Sequence, residues 1–268
     1  MSPALLVPRP AVAVVLLTLT GLYLLGWSRL LRRGPGIATD GRLALALGGS
    51  AALTLALSPL VDEAAHARFS AHMLQHLLLT VVAAPALVLA APLAITLWAL
   101  PRGARRAARP LLAAGTAGRS LLRALTSMPL AWTLHAAALW LWHLPSAYEA
   151  ALGTPWLHDL EHMSFLVTAV FFWWPVIEPA PRLRPVRGHG VRLVYLVLGA
   201  FQAAALGVLL ALAPVILYPA YAGADALEDQ ALGGVLMWAL GGAGDMLAVG
   251  LLLWRFLVRA EAAPVHVS

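Results

Sequence analysis

Two short stretches hold the residue types best suited to chemistry: His72-Met73-Leu74-Gln75-His76 and His158-Asp159-Leu160-Glu161-His162. In each, two histidines stand four apart, so on a helix they share one face, about 6 Å apart along the axis. Two such pairs on neighbouring helices bring four imidazoles within reach of one ion or one flat cofactor. Neutral imidazole suits copper, zinc, iron and nickel, and methionine adds a soft ligand for Cu(I). Met73 and Met163 each adjoin a paired histidine, but adjacency turns them about 100° off its face, which favours packing or lipid contact over ligation. Glu161 and Asp159 can orient imidazoles or ligate directly. Cys is absent, which excludes disulfides and thiolate sites.

The elements that must position these residues follow from composition. The 268 residues are 61% hydrophobic and 11% charged, with a mean hydropathy of +0.83. A soluble domain carries about 25% charged residues, so this is the composition of an integral membrane protein. Apolar segments at approximately 10–31, 42–60, 69–92, 128–145, 157–178, 191–218 and 230–258 are each long enough to cross a bilayer. They predict an all-α bundle of seven transmembrane helices, one integral membrane domain over residues 1–268. The first run has no basic stretch before it and continues for about 20 residues, so it reads as a span and not a cleaved signal. Pro85, Pro92 and Pro101 interrupt the end of the third.

Orientation comes from the basic residues, all 18 of which are Arg. The loop after the first span holds Arg29, Arg32, Arg33 and Arg42. Arg102, Arg105, Arg106, Arg109, Arg119 and Arg123 follow the third, and Arg182, Arg184, Arg187 and Arg192 follow the fifth. Arg255 and Arg259 end the seventh, which leaves only Arg9 and Arg68 on the opposite side. Acids gather there instead, among them Asp62, Glu63, Glu149, Asp225 and Glu228. The positive-inside rule then puts the N-terminus outside and the C-terminus in the cytoplasm, in a lipid bilayer. Topology accounts for the +6 charge, so nucleic acid is not an expected partner. Trp140, Trp142, Tyr148, Trp156, Tyr218 and Tyr221 read as an outer aromatic belt, and Trp27, Trp98, Trp173, Trp174 and Trp254 as an inner one. A homo-oligomer is compatible with this composition.

In that frame the polar residues collect at the outer ends of the third, fourth, fifth and seventh helices. His72, His76, His158 and His162 form the candidate metal site, with Glu161, Asp229 and His143 as additional or supporting groups. His135 lies two turns below His143. His66 reads as an interfacial residue, and His189 and His266 as solvated groups on the cytoplasmic side. Asp245 lies about 24 Å below Asp229. It follows Gly241-Gly242-Ala243-Gly244, and an arginine near the inner face is its expected partner. Three other readings stay open. His158-x-x-Glu161-His162 matches the H-x-x-E-H pattern of inverted zinc proteases; the histidine pairs could hold haem; or they form a polar network with no cofactor.

Longer stretches carry a family resemblance. They are Phe69-Ser70-Ala71-His72-Met73-Leu74-Gln75-His76 with Ala83-Ala84-Pro85, His158-Asp159-Leu160-Glu161-His162-x-x-Phe165, and Phe172-Trp173-Trp174-Pro175. Leu217-Tyr218-Pro219-x-Tyr221 and Asp229-Gln230-x-x-Gly233-Gly234-x-x-Met237-Trp238 complete the set. Together the chain resembles the multi-spanning CtaG-type cytochrome c oxidase assembly factors of bacteria. The resemblance implies a multi-pass protein of the bacterial inner (plasma) membrane that helps mature a haem-copper oxidase, with an oxidase subunit as partner and copper as the metal handled. It implies an assembly factor, not an enzyme.

Overall fold

Prolines begin half of the twelve described helices. Pro10, Pro59, Pro92, Pro129, Pro145 and Pro155 all stand in a first helical turn, where the missing N–H would have had no partner anyway. The computed structural model describes residues 8–34, 36–113, 115–185 and 187–261, so His266 and the first seven residues lie outside it. Among the described residues the chain is 81% helical, with no strand. The helices are α1 (Pro10–Leu31), α2 (Asp40–Ala56), α3 (Pro59–Ala67), α4 (Phe69–Leu89), α5 (Pro92–Thr96), α6 (Arg102–Leu112) and α7 (Ala117–Leu125). There follow α8 (Met128–Trp142), α9 (Pro145–Gly153), α10 (Pro155–Ile177) and α11 (His189–Ala211). The last, α12, joins Ala226–Leu236, a π-helical turn at Met237–Gly241 and Gly242–Glu261.

Among the described residues five helices are long and apolar enough to cross a membrane: α1, α4, α10, α11 and α12. The expected second span is broken instead, because α2 and α3 meet at a 49° bend where Ser58 caps and Pro59 starts the new helix. The expected fourth, α8, has 15 residues, or about 22 Å, against a bilayer core of roughly 30 Å. The expected span at 191–218 loses its last turns, as α11 stops at Ala211.

The two histidine-bearing helices lie at the centre. α4 packs against α2, α3, α10 and α12, and α10 packs against α8 and α9 as well. A π-helical turn at Leu78–Ala83 widens α4 just before Pro85, whose ring cannot donate to the carbonyl four residues back. The Trp173 indole of α10 donates to the Thr80 carbonyl in that turn at 3.0 Å. α11 and α12 approach through glycine: a Cβ at Gly234 would meet the Ala211 nitrogen and the Gly207 carbonyl oxygen at 2.5 Å.

At the end of the bundle away from the histidines, arginines satisfy helix-end carbonyls. Arg29 reaches the Trp98 and Ala99 oxygens, and Arg184 reaches Arg123. Arg33 and Arg105 stack on the Trp98 ring, 4.7 and 4.5 Å from its centroid. The expected aromatic belts need revision, because Tyr148, Tyr218, Trp173 and Trp174 are buried in the core while Trp156 and Trp254 are exposed.

Candidate metal centre

His72 and His158 are each the fourth residue of their helix, and His76 and His162 follow one turn deeper. Because α4 and α10 start at the same end, the pairs meet level by level. The His72 and His158 Nε2 atoms are 3.3 Å apart, and the His76 and His162 rings lie 5.5 Å apart between centroids. All four imidazoles are buried. Glu161 sits on the same face of α10 with no exposed surface, Oε1 3.6 Å from His76 Nε2 and Oε2 4.0 Å from His72 Nε2.

The hydrogen-bond inventory of this cluster is incomplete within the protein. Among the described residues, both nitrogens of His76, His162 Nε2 and both carboxylate oxygens of Glu161 are buried with no hydrogen-bond partner. Buried polar atoms are normally satisfied, and an unpaired buried carboxylate is among the costliest exceptions. Two sets of ligand atoms converge to within 4.8 Å of one another, one from His72, His76 and His162 and the other from His72, His158 and Glu161. A tetrahedral ion holding imidazoles at about 2.0–2.1 Å puts neighbouring nitrogens about 3.3–3.4 Å apart. The spacing between His72 and His158 matches, so the donor set fits a metal cation.

His72 is also held from behind. Its Nδ1 lies 2.7 Å from the Tyr148 hydroxyl and 3.0 Å from that of Tyr221, and the two hydroxyls are 3.1 Å apart. The Tyr221 hydroxyl donates to the Ala65 carbonyl at 2.8 Å, one of the last carbonyls of α3, which has no helical donor. Since that carbonyl only accepts, a run in one direction satisfies every group: His72 Nδ1–H to Tyr148, Tyr148 to Tyr221, Tyr221 to Ala65. It leaves His72 Nε2 as a bare lone pair aimed into the cluster. Burial pushes the Tyr148 phenol well above its ordinary value, and that of Tyr221 up as well, so both stay protonated donors. Sequence reading placed these tyrosines in the aromatic belt. Only the pairing of α9 and the 218–221 turn with α4 brings them to His72.

The other predicted residues take varied places. His143 is buried and donates from Nδ1 to the Leu139 carbonyl at 2.7 Å, with Nε2 3.3 Å from the Met73 sulfur. Asp229 accepts from the Ser70 hydroxyl and, at 3.4 Å, its backbone N–H, capping the start of α4. Asp159 forms a two-pronged pair with Arg9 at 2.8 and 2.9 Å, both half-exposed. Gln75 donates to the Ala56 carbonyl at 2.8 Å, so it fastens α4 to the end of α2. His66 packs edge-on against His158, ring centroids 5.4 Å apart, and His158 Nδ1 lies 3.8 Å from Asp62. His135 contacts Thr168 at 3.2 Å. Met163 is exposed, as expected for lipid contact, whereas Met73 is wholly buried. The expected arginine for Asp245 is not there among the described residues. Arg192, nearest in kind, pairs with Glu178 at 2.7 Å instead.

A helical membrane protein with a buried imidazole–carboxylate cluster at one end of its bundle is the class that fold and site define. Its sequence makes the assignment narrower: the chain belongs to the cytochrome c oxidase caa3 assembly factor family (Caa3_CtaG), which matches residues 21–259. Uncharacterized protein Mb0105 of Mycobacterium bovis and uncharacterized protein MT0111 of Mycobacterium tuberculosis are each 28% identical to it over 232 residues. The match covers 81% of this chain and 34% of either relative, so the chain spans about a third of the length of these curated relatives. No solved structure matches it significantly.

Proposed function

We propose that the chain binds copper at His72, His76, His158 and His162, with Glu161 supplying charge, and passes it to a subunit of a haem-copper oxidase during assembly. The observation that carries this reading is the convergence of unpartnered buried donors. Five side-chain atoms of His76, His162 and Glu161 lack a hydrogen bond among the described residues, beside a His72–His158 contact at the spacing an ion requires. Family membership supplies the oxidase, and imidazole ligation suits copper among first-row metals. A carboxylate in contact range of two imidazoles lowers the cost of holding the ion's charge in a dry site.

Seven crossings with the N-terminus outside belong to the same reading. The kinked α2–α3 pair and the short α8 join the five long helices, and the arginine-rich end faces the cytoplasm of a bacterial inner membrane. The histidine cluster then opens toward the outer face. The cavity of about 70 Å³ beside the cluster is lined by His76 and His143 and suits a small ion.

Metal analysis of the purified protein, beside His76→Ala and His158→Ala, tests the proposal. Near-stoichiometric copper in the parent and a tenfold or greater loss in either variant are expected. Equal, negligible copper in all three refutes it, and a Soret band in the parent would favour haem.

A further inference from the structure

A second pair of donor atoms faces the same cavity without being part of the histidine–glutamate cluster. His143 Nδ1 is 2.7 Å from the Leu139 carbonyl, and because a carbonyl only accepts, that nitrogen carries the proton. In the neutral ring Nε2 is then a bare lone pair. It points at the sulfur of Met73, 3.3 Å away, and thioether sulfur is itself an acceptor. Two lone pairs facing one another in a buried site gain nothing from the contact. A proton on Nε2 would mend it only by making a buried imidazolium, and among the described residues no carboxylate lies in ion-pair range of His143. A cation shared between the two atoms resolves the geometry. With metal–nitrogen and metal–sulfur bonds of about 2.0 and 2.3 Å, a 3.3 Å separation corresponds to a ligand–metal–ligand angle of about 100°.

We propose that Met73 and His143 form a second, Cu(I)-selective subsite adjoining the histidine–glutamate cluster. The inference rests on the copper reading above and adds the oxidation state and a second station. Imidazole with thioether is a soft donor pair, which zinc and hard cations disfavour and Cu(I) accepts. Both residues line one cavity with His76, whose two nitrogens have no partner among the described residues, and the His76 and His143 rings are 6.1 Å apart. An ion can therefore change ligands from one station to the other through His76 without leaving the protein. The pair is also held in place. Met73 packs between α12 and the Phe69–Tyr148–Tyr218 cluster, and the Tyr218 hydroxyl donates to the His143 carbonyl at 2.9 Å.

The full-length protein in detergent, loaded anaerobically with Cu(I), is examined by X-ray absorption at the copper edge. Met73→Leu, His143→Gln and the triple variant His72→Ala/His76→Ala/His158→Ala are measured beside it at matched helical content. A sulfur scatterer near 2.3 Å is expected in the parent, absent from both single variants, while their nitrogen scattering persists. In the triple variant nitrogen scattering and copper content fall, and sulfur remains. Nitrogen-only coordination in the parent, or sulfur that survives both single substitutions (Met237 also lines the cavity), overturns the subsite and leaves the histidine site standing. Sulfur ligation with undiminished copper in the triple variant upholds the subsite and overturns the histidine site. Each single variant serves as the check on the other should one fail to fold.

Discussion

Replacing Tyr148 by phenylalanine removes one oxygen and leaves the ring that packs on Phe69 and Tyr218. The lost hydroxyl is 2.7 Å from His72 Nδ1 and is the link through which that nitrogen reaches Tyr221. Loss of a group that orients a metal-bound imidazole costs 10- to 100-fold in affinity. Here Tyr221 remains 3.0 Å from the same nitrogen, so the lower end applies. Copper should bind about tenfold more weakly, or about 1.4 kcal/mol. Adding Tyr221→Phe removes the second partner and should take the loss to about 100-fold. It also strips the Ala65 carbonyl of its donor, so about 1–3 kcal/mol of stability should go with it. Titration of copper against a competing chelator measures the first effect and thermal unfolding the second. Copper affinity within twofold of the parent in the double variant would refute the claim that the tyrosines set the His72 tautomer.

Three further outcomes separate the residues of the site from their neighbours. Asp229→Asn weakens the cap on α4 and should lower stability by about 1 kcal/mol, with copper stoichiometry unchanged; a loss of bound copper would make Asp229 a ligand. Arg9→Ala breaks a half-exposed ion pair worth at most about 1 kcal/mol, and copper affinity should not move. Gly234→Ala forces a methyl against the backbone of α11 and should cost about 1–3 kcal/mol, read as a lower unfolding temperature in detergent. An unchanged midpoint would mean that α11 and α12 can part freely.

Much of the arrangement was legible along the chain, because lipid leaves the backbone few options. Apolar runs of helix length must form helices, prolines and capping residues mark where they start, and arginine asymmetry separates one end of the bundle from the other. The four-residue spacing of His72 with His76 and of His158 with His162 placed each pair on one face whatever the packing. Glu161 was legible for the same reason, lying on the face that His158 and His162 define.

Position along the chain could not show which neighbours meet. Asp229 begins a helix at the right end, and only the packing of α12 on α4 shows what it holds there, the Ser70 hydroxyl and backbone N–H. Met73 looked like a packing residue because it lies off the histidine face of α4, yet α8 comes back on that flank and sets His143 against its sulfur. Tyr148 and Tyr221 had the chemistry and position of belt residues, and only the fold of α9 and the 218–221 turn over α4 makes them partners of His72. Periodicity determines the face on which a side chain leaves its own helix. Which helix waits opposite that face is decided by the packing of the whole bundle, and with it the hydrogen bonds that, among the described residues, leave atoms of His76, His162 and Glu161 without a partner.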